Sequence, residues 1–194
     1  VSQEIGLAIE NKLQGNLDYI NLLAEMRRRN EIKPNGFEER SAAYLKAHPE
    51  LINFTWVDHD FYIRSVSPLK GNRQIIGLHL DLAEPARVSA LAKKTQSAQY
   101  TQAFEAIQGD CSFEVWYPVF QKSEFLGLIA GVHSCEKLLR SVSVSSISDN
   151  YLIGLSDTEA SFLTILNSSM GTLADNHQKT QLKIGNNLVV SAAR

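Results

Sequence analysis

His79 sits in an apolar run formed by Ile75, Ile76, Leu78 and Leu80. An imidazole buried there needs a polar partner, and a bound ligand is one candidate for it. Arg64 and Arg73 carry guanidinium forks, which match a carboxylate with two parallel hydrogen bonds; ion pairs within the chain are the plainer use of both. Tyr62 and Tyr117 join an apolar ring to a polar tip. That combination suits a mostly apolar small-molecule pocket, and equally a core tyrosine whose hydroxyl is satisfied locally. Asp58-His59-Asp60 has the residue types of a metal site. Three adjacent residues in one connection seldom converge on one ion, so the triplet reads as a turn.

Catalysis finds little support. The chain has no GxSxG elbow, no HExxH pair, no glycine-rich phosphate loop and no clustered carboxylate signature. Its five histidines (His48, His59, His79, His133 and His177) are scattered, without a serine or cysteine in motif context. The expectation is a binding domain rather than an enzyme, with no cofactor. Cys111 and Cys135 lack the CxxC spacing of zinc or redox sites. A turn over Gln121 to Glu124 would set them opposite each other at the open end of one hairpin, where an oxidising compartment would allow a disulfide.

The elements that must position these residues begin with one long helix. Ile5, Ile9, Leu13, Leu17, Ile20 and Leu23 step by three or four and form a single apolar stripe over the first thirty residues. At ~1.5 Å per residue such a helix is longer than one small lobe needs, so it reads as a spine. A second helix is expected from Phe37 to about Ala47, ending before His48-Pro49. Strands follow over 53–57 and 61–66, then a loop over 68–72, an extended apolar stretch over 75–82 and a helix over 83–95 with Pro85 in its first turn. Three further strands (100–107, 113–120 and 125–133) and a short helix, 136–142, complete the larger block. Sheet order of this kind is PAS-like, with helices covering one side and room for a small ligand between sheet and helices.

On the strand 113–120 one face carries Phe113, Val115, Tyr117 and Val119, the other Glu114, Trp116 and Pro118. On the next strand Gly127, Ile129, Gly131 and His133 share a face, and its glycines leave space for a ligand or for the spine. Trp56, Tyr62, Arg64, His79, Tyr100, Tyr117 and Gly131 are the set expected to contact a ligand. The tail is expected to form a hairpin over 150–155 and 160–167 and a last strand pair or strand over 181–191. It is too short to close its own core, which fits a minor lobe leaning on the spine. The fold class is therefore α+β, divided into a spine helix (1–36), a larger PAS-like lobe (37–142) and a smaller lobe (143–194).

Composition sets the outer limits. Nineteen basic and twenty-one acidic residues in 194 leave a net charge of −2, which argues against a nucleic-acid surface. With 44% hydrophobic residues, the chain has the makings of a folded core. No apolar run approaches the ~18 residues of a membrane span. The chain opens at Val1 and reads as an excised piece of a longer protein.

Five segments in order resemble the CHASE family of sensor domains. Phe54-Thr55-Trp56-Val57-Asp58 and Ile63-Arg64-Ser65-Val66-Ser67-Pro68-Leu69-Lys70-Gly71-Asn72 are similar to its opening "WVD…IRWVxPLxGN". Gly77-Leu78-His79-Leu80 with Pro85-Ala86-Arg87, then Phe113 to Phe120, Phe125 to Val132, and Glu136-Lys137-Leu138-Leu139 look like its later motifs. The resemblance spans about residues 47 to 140. It implies an extracytoplasmic small-molecule sensor between two membrane spans, attached to a histidine kinase or a diguanylate cyclase/phosphodiesterase. It also implies a membrane-distal ligand lobe, a membrane-proximal lobe and signalling as a homodimer, here through the N-terminal helix. The membrane would be met only through flanking helices outside this sequence. An aspartate that contacts ligand in the plant cytokinin receptors of this family falls at or beside His79, so a plant-hormone ligand is not expected. The rival expectation is a cytoplasmic PAS/GAF-like regulatory or protein-interaction domain without a small ligand.

Overall fold

Apolar residues at helical spacing fix the first element, α1 (Ser2–Arg28), in which Ile5, Ile9, Leu13, Ile20 and Leu23 are all at most 1% exposed. This computed structural model describes residues 1–105, 111–143, 150–157, 162–167, 173 and 177–194. The expected turn at Thr158, the start of the strand at 160 and residues 106–107 lie outside them.

α2 (Pro34–Ala47) starts three residues before the predicted point, because Pro34 begins the helix instead of blocking it: its missing N–H falls among donors that have no helical partner anyway. Then come β1 (Leu51–Asp58), β2 (Ile63–Ser67), a single 3-10 turn at Arg73–Ile75 and α3 (Ala83–Thr95). β3 (Gln99–Tyr100) and β4 (Phe104–Glu105) are short, and β5 (Cys111–Gln121) with β6 (Glu124–Ser134) makes the long central hairpin. α4 (Cys135–Val142) is capped by the Ser134 hydroxyl, which accepts from the Lys137 N–H at 3.3 Å. The tail forms β7 (Leu152–Ser156), β8 (Phe162–Leu166), β9 (Gln178–Gln181) and β10 (Val189–Ala193).

The major sheet runs β2-β1-β6-β5-β3, with β4 also on β5; the minor sheet runs β8-β7-β10-β9. Helices cover both faces of the major sheet, not one. Ile20, Leu23 and Ala24 of α1 and Phe37 of α2 pack on Phe54, Trp56, Val115 and Ile129, while Val88 and Ala92 of α3 pack on Val57, Trp116, Leu128 and Ala130 of the opposite face. Strands apolar on both sides are the sequence mark of a sheet buried on both sides. The other end of α1 supplies Ile5, Ile9 and Leu13 to a core with Leu138, Leu139, Ile153, Leu155, Leu188 and Val190, so one helix serves both sheets. The apolar stripe of α1 is thus mostly consumed inside the chain.

At the far end of α1, the half-buried Arg27 donates to the carbonyls of Val57 and Leu126 and lies 4.6 Å from the Trp56 ring. These carbonyls flank the bulge at Gly127, whose φ of 120° and lack of a side chain let β6 close on β1; a Cβ there would stand 2.1 Å from the Val57 oxygen.

Candidate functional site: a cavity on the outer face of the major sheet

Two rows of side chains cross the sheet on the face away from α1. The register aligns Asn53 with Val132 and Val132 with Glu114; two residues along, it aligns Thr55 with Ala130 and Ala130 with Trp116. The middle strand therefore contributes the small residues of each row, and a hollow opens between larger neighbours. Ile63, Ile75, Leu78, His79, Leu80, Asp81, Leu82 and Pro85 form its remaining walls, enclosing about 510 Å³. Ligand pockets commonly measure ~300–1,000 Å³ and are mainly apolar with a few placed polar groups, as here.

The outer wall is held by backbone pairing along the edge of β2. Ile63 N–H donates to Leu78 at 2.9 Å, Gly77 N–H to Ile63 at 2.8 Å and Leu80 N–H to Phe61 at 3.0 Å, with Tyr62 and His79 bridged. The predicted extended stretch over 75–82 thus becomes a strap across the sheet edge. Its Ile76, Leu78 and Leu82 remain exposed at 40, 54 and 71%.

The polar groups are few. Glu114 Oε2 accepts from the Trp116 indole N–H at 2.8 Å, and its other oxygen takes no hydrogen bond from a described residue. Burial pushes this carboxyl up to about 7, opposed by the indole bond and reinforced by nearby Glu84. Asn53 Oδ1 accepts from the Thr55 hydroxyl at 3.2 Å, which leaves the Asn53 amide free to donate into the cavity. His79 Nδ1 lies 2.6 Å from Asp81 Oδ1, and the His79 ring meets Tyr62 edge-on at 5.0 Å.

Of the residues expected from sequence, only His79 lines this cavity. Tyr62 meets it edge-on, and Arg64 reaches over Tyr62 at 5.7 Å while binding Asp58 at 2.5 Å. Trp56, Tyr100, Tyr117 and Gly131 belong to the spine-facing side. Tyr117 donates to Asn21 of α1 at 2.7 Å, Trp56 packs edge-on against Phe37 at 5.8 Å, and Tyr100 packs beside Phe113 at 6.3 Å. A Cβ at Gly131 would stand 3.1 Å from Ile20 and 3.2 Å from Phe54, so the space beside this glycine is taken by the spine and its neighbour. Glu114 and Trp116 are the residues the sequence reading passed over. Their signal was a lone carboxylate in a strand otherwise apolar on both faces.

Asp58-His59-Asp60 is a turn: Asp58 Oδ1 accepts from the N–H groups of Asp60 at 2.9 Å and Tyr62 at 3.0 Å. Among the described residues no cluster of three or more histidine, cysteine or acidic side chains could hold a metal ion. Among the same residues no helix is long and apolar enough to cross a membrane. Cys111 and Cys135 are free thiols in mutual contact, as the register Ser112 to Ser134 requires.

A second polar cluster lies where α1 crosses between the lobes. Asn16, 1% exposed, donates to Glu50 Oε1 and faces His133 Nε2, both at 3.3 Å, and accepts from Tyr44 at 3.0 Å. Lys12 and His48 also reach the fully buried Glu50. Burial works to raise the Glu50 carboxyl, but its hydrogen bonds and Lys12 outweigh it and hold the group below its ordinary value. Burial lowers His133 to about 4, so it is neutral.

No protein-family model and no curated protein matches the chain. Solved structures do match in fold. An extracellular ligand-binding receptor from Desulfohalobium retbaense aligns with a TM-score of 0.75 at 14% identity, covering 98% of this chain and 38% of that one. The ligand-binding domain of the Pseudomonas aeruginosa amino acid chemoreceptor PctC, in complex with GABA, gives 0.65 at 10% identity, covering 98% and 94%. That of the Pseudomonas fluorescens chemoreceptor CtaA, in complex with L-serine, gives 0.64 at 11% identity, covering 98% and 92%. The fold is that of ligand-binding sensor domains: a long N-terminal helix carrying two antiparallel sheets.

Proposed function

We propose that this chain is the extracytoplasmic small-molecule sensor domain of a transmembrane signalling receptor. The cavity on the outer face of the major sheet carries the reading: an apolar hollow of about 510 Å³ with a handful of directed polar groups. It is supported by a fold shared, over nearly the whole chain, with ligand-binding domains of chemoreceptors. The motif resemblance to CHASE domains points to the same role, with a histidine kinase or diguanylate cyclase/phosphodiesterase as the output.

Signal transfer follows from the layering. Glu114 and Trp116 face the cavity, while Val115 between them packs on α1's side of the sheet. A ligand that prefers one spacing of strap and sheet shifts the equilibrium of sheet against helix, and only by its difference in affinity for the two arrangements. Homodimerisation through α1 would use its outward face, where Leu7 and Leu22 are 59% and 52% exposed.

A thermal-shift screen tests the proposal, with amino acids first because GABA and L-serine are bound in two of the solved structures of this fold, then other carboxylates, amines and purines. At a hundredfold excess over Kd a ligand adds about 2.7 kcal/mol. The expected result is a shift that disappears in Val132→Trp, which fills the hollow, while that variant keeps its circular dichroism spectrum. A broad library without a shift, or a shift that persists in Val132→Trp, overturns the proposal.

A further inference from the structure

We propose that the cavity selects an organic amine that carries no carboxylate, with the ammonium placed at Glu114 and the hydrocarbon or aromatic body against the apolar walls. The inference rests on the sensor reading and narrows it to a ligand class. Its basis is the charge inventory of the lining. Two carboxylates, Glu114 and Asp81, border the cavity, and no lysine or arginine does so among the described residues. Of the nearby guanidiniums, Arg64 holds Asp58 and Arg87 grips Glu84 through two bonds of 2.8 Å, while Arg73, two residues before Ile75, is exposed and stands outside the lining.

A ligand carboxylate would enter an apolar hollow next to Glu114 without a cationic fork to receive it, and an uncompensated buried charge is costly. An ammonium meets the opposite situation. Glu114 has one oxygen fixed by the Trp116 indole and the other without a donor, so it accepts a charge-assisted bond without breaking an existing one. The Trp116 ring, lining the same wall, adds the attraction of an aromatic surface for a cation. Among the described residues His79 is the only basic group on the lining, and it is turned to Asp81.

The test is isothermal titration at pH 8 with matched pairs that differ only in the carboxylate: phenethylamine with L-phenylalanine, tryptamine with L-tryptophan, cadaverine with L-lysine. At least one amine should bind tenfold or more tighter than its amino acid. Glu114→Gln, which keeps the indole acceptor, should weaken that amine at least tenfold without lowering the Tm of the free protein. Amino acids binding as tightly as their amines, or amine affinity unchanged in Glu114→Gln, overturns the selectivity while leaving a sensor domain in place. Cavity binding confined to neutral or anionic compounds does the same. If no compound in any class binds, the sensor reading falls and takes this inference with it.

Discussion

Glu114→Gln should make the free protein more stable at alkaline pH, although it removes a charged side chain. Glu114 titrates at about 7 in the folded chain against an ordinary 4.5. At ~1.36 kcal/mol per tenfold in proton affinity, that gap corresponds to about 3 kcal/mol. Below pH 4.5 the carboxyl is protonated in folded and unfolded chains alike, and it contributes nothing to the pH dependence. As pH rises from 4.5 to 7 the unfolded chain releases the proton more readily than the folded one, so stability falls; above 7 the loss is complete and constant. Wild-type protein alone hides this slope. His133, neutral and lowered from 6.5 to about 4, adds stability as pH rises through the same window. The difference between variant and wild type isolates Glu114, because His133 is common to both. Urea unfolding at pH 4.5 and pH 8 should show the variant gaining about 2–3 kcal/mol on wild type between the two conditions. A difference that stays flat with pH would refute the account of a carboxylate held in an apolar wall. A group so unfavourable to the free fold is the kind of compromise that binding sites retain.

Other consequences follow from the junctions of α1. Arg27→Met removes the donors to the Val57 and Leu126 carbonyls and the contact with Trp56, and should cost about 2–3 kcal/mol in urea unfolding. Asn16→Ala leaves buried Glu50 and His133 short of a partner and should cost about 2 kcal/mol, with acid unfolding moved to higher pH as the Glu50 carboxylate loses support. Mild oxidation should join Cys111 to Cys135, read by intact mass as the loss of two hydrogens and no reaction with a thiol-blocking reagent. Two blocked thiols after oxidation would exclude that bond.

Elements with strong periodicity were legible in the sequence. α1 follows its apolar stripe, α3 runs over the predicted 83–95, and the β5–β6 hairpin sets Cys111 beside Cys135 because the turn at 121–124 fixes its register. The functional face was not legible. Both faces of β5 and β6 are largely apolar, since helices bury both, so alternation separated Tyr117 from Trp116 without saying which looks at α1. Gly131 illustrates the ambiguity: a missing side chain marks close approach, and here the approaching group is Ile20. The stretch over 75–82 was legible as extended, but its docking along β2 was not, because that order comes from backbone bonds to β2 rather than from side-chain period.

The location of the site can be read from two signals. The chain has two tryptophans, Trp116 on the cavity wall and Trp56 on the spine side of the same sheet. In a ¹H–¹⁵N spectrum, titration with the tightest hit of the screen should move the Trp116 indole N–H saturably and leave that of Trp56 nearly still. Movement of Trp56 with Trp116 unchanged would place the ligand between sheet and helix and contradict a site on the outer face of the sheet.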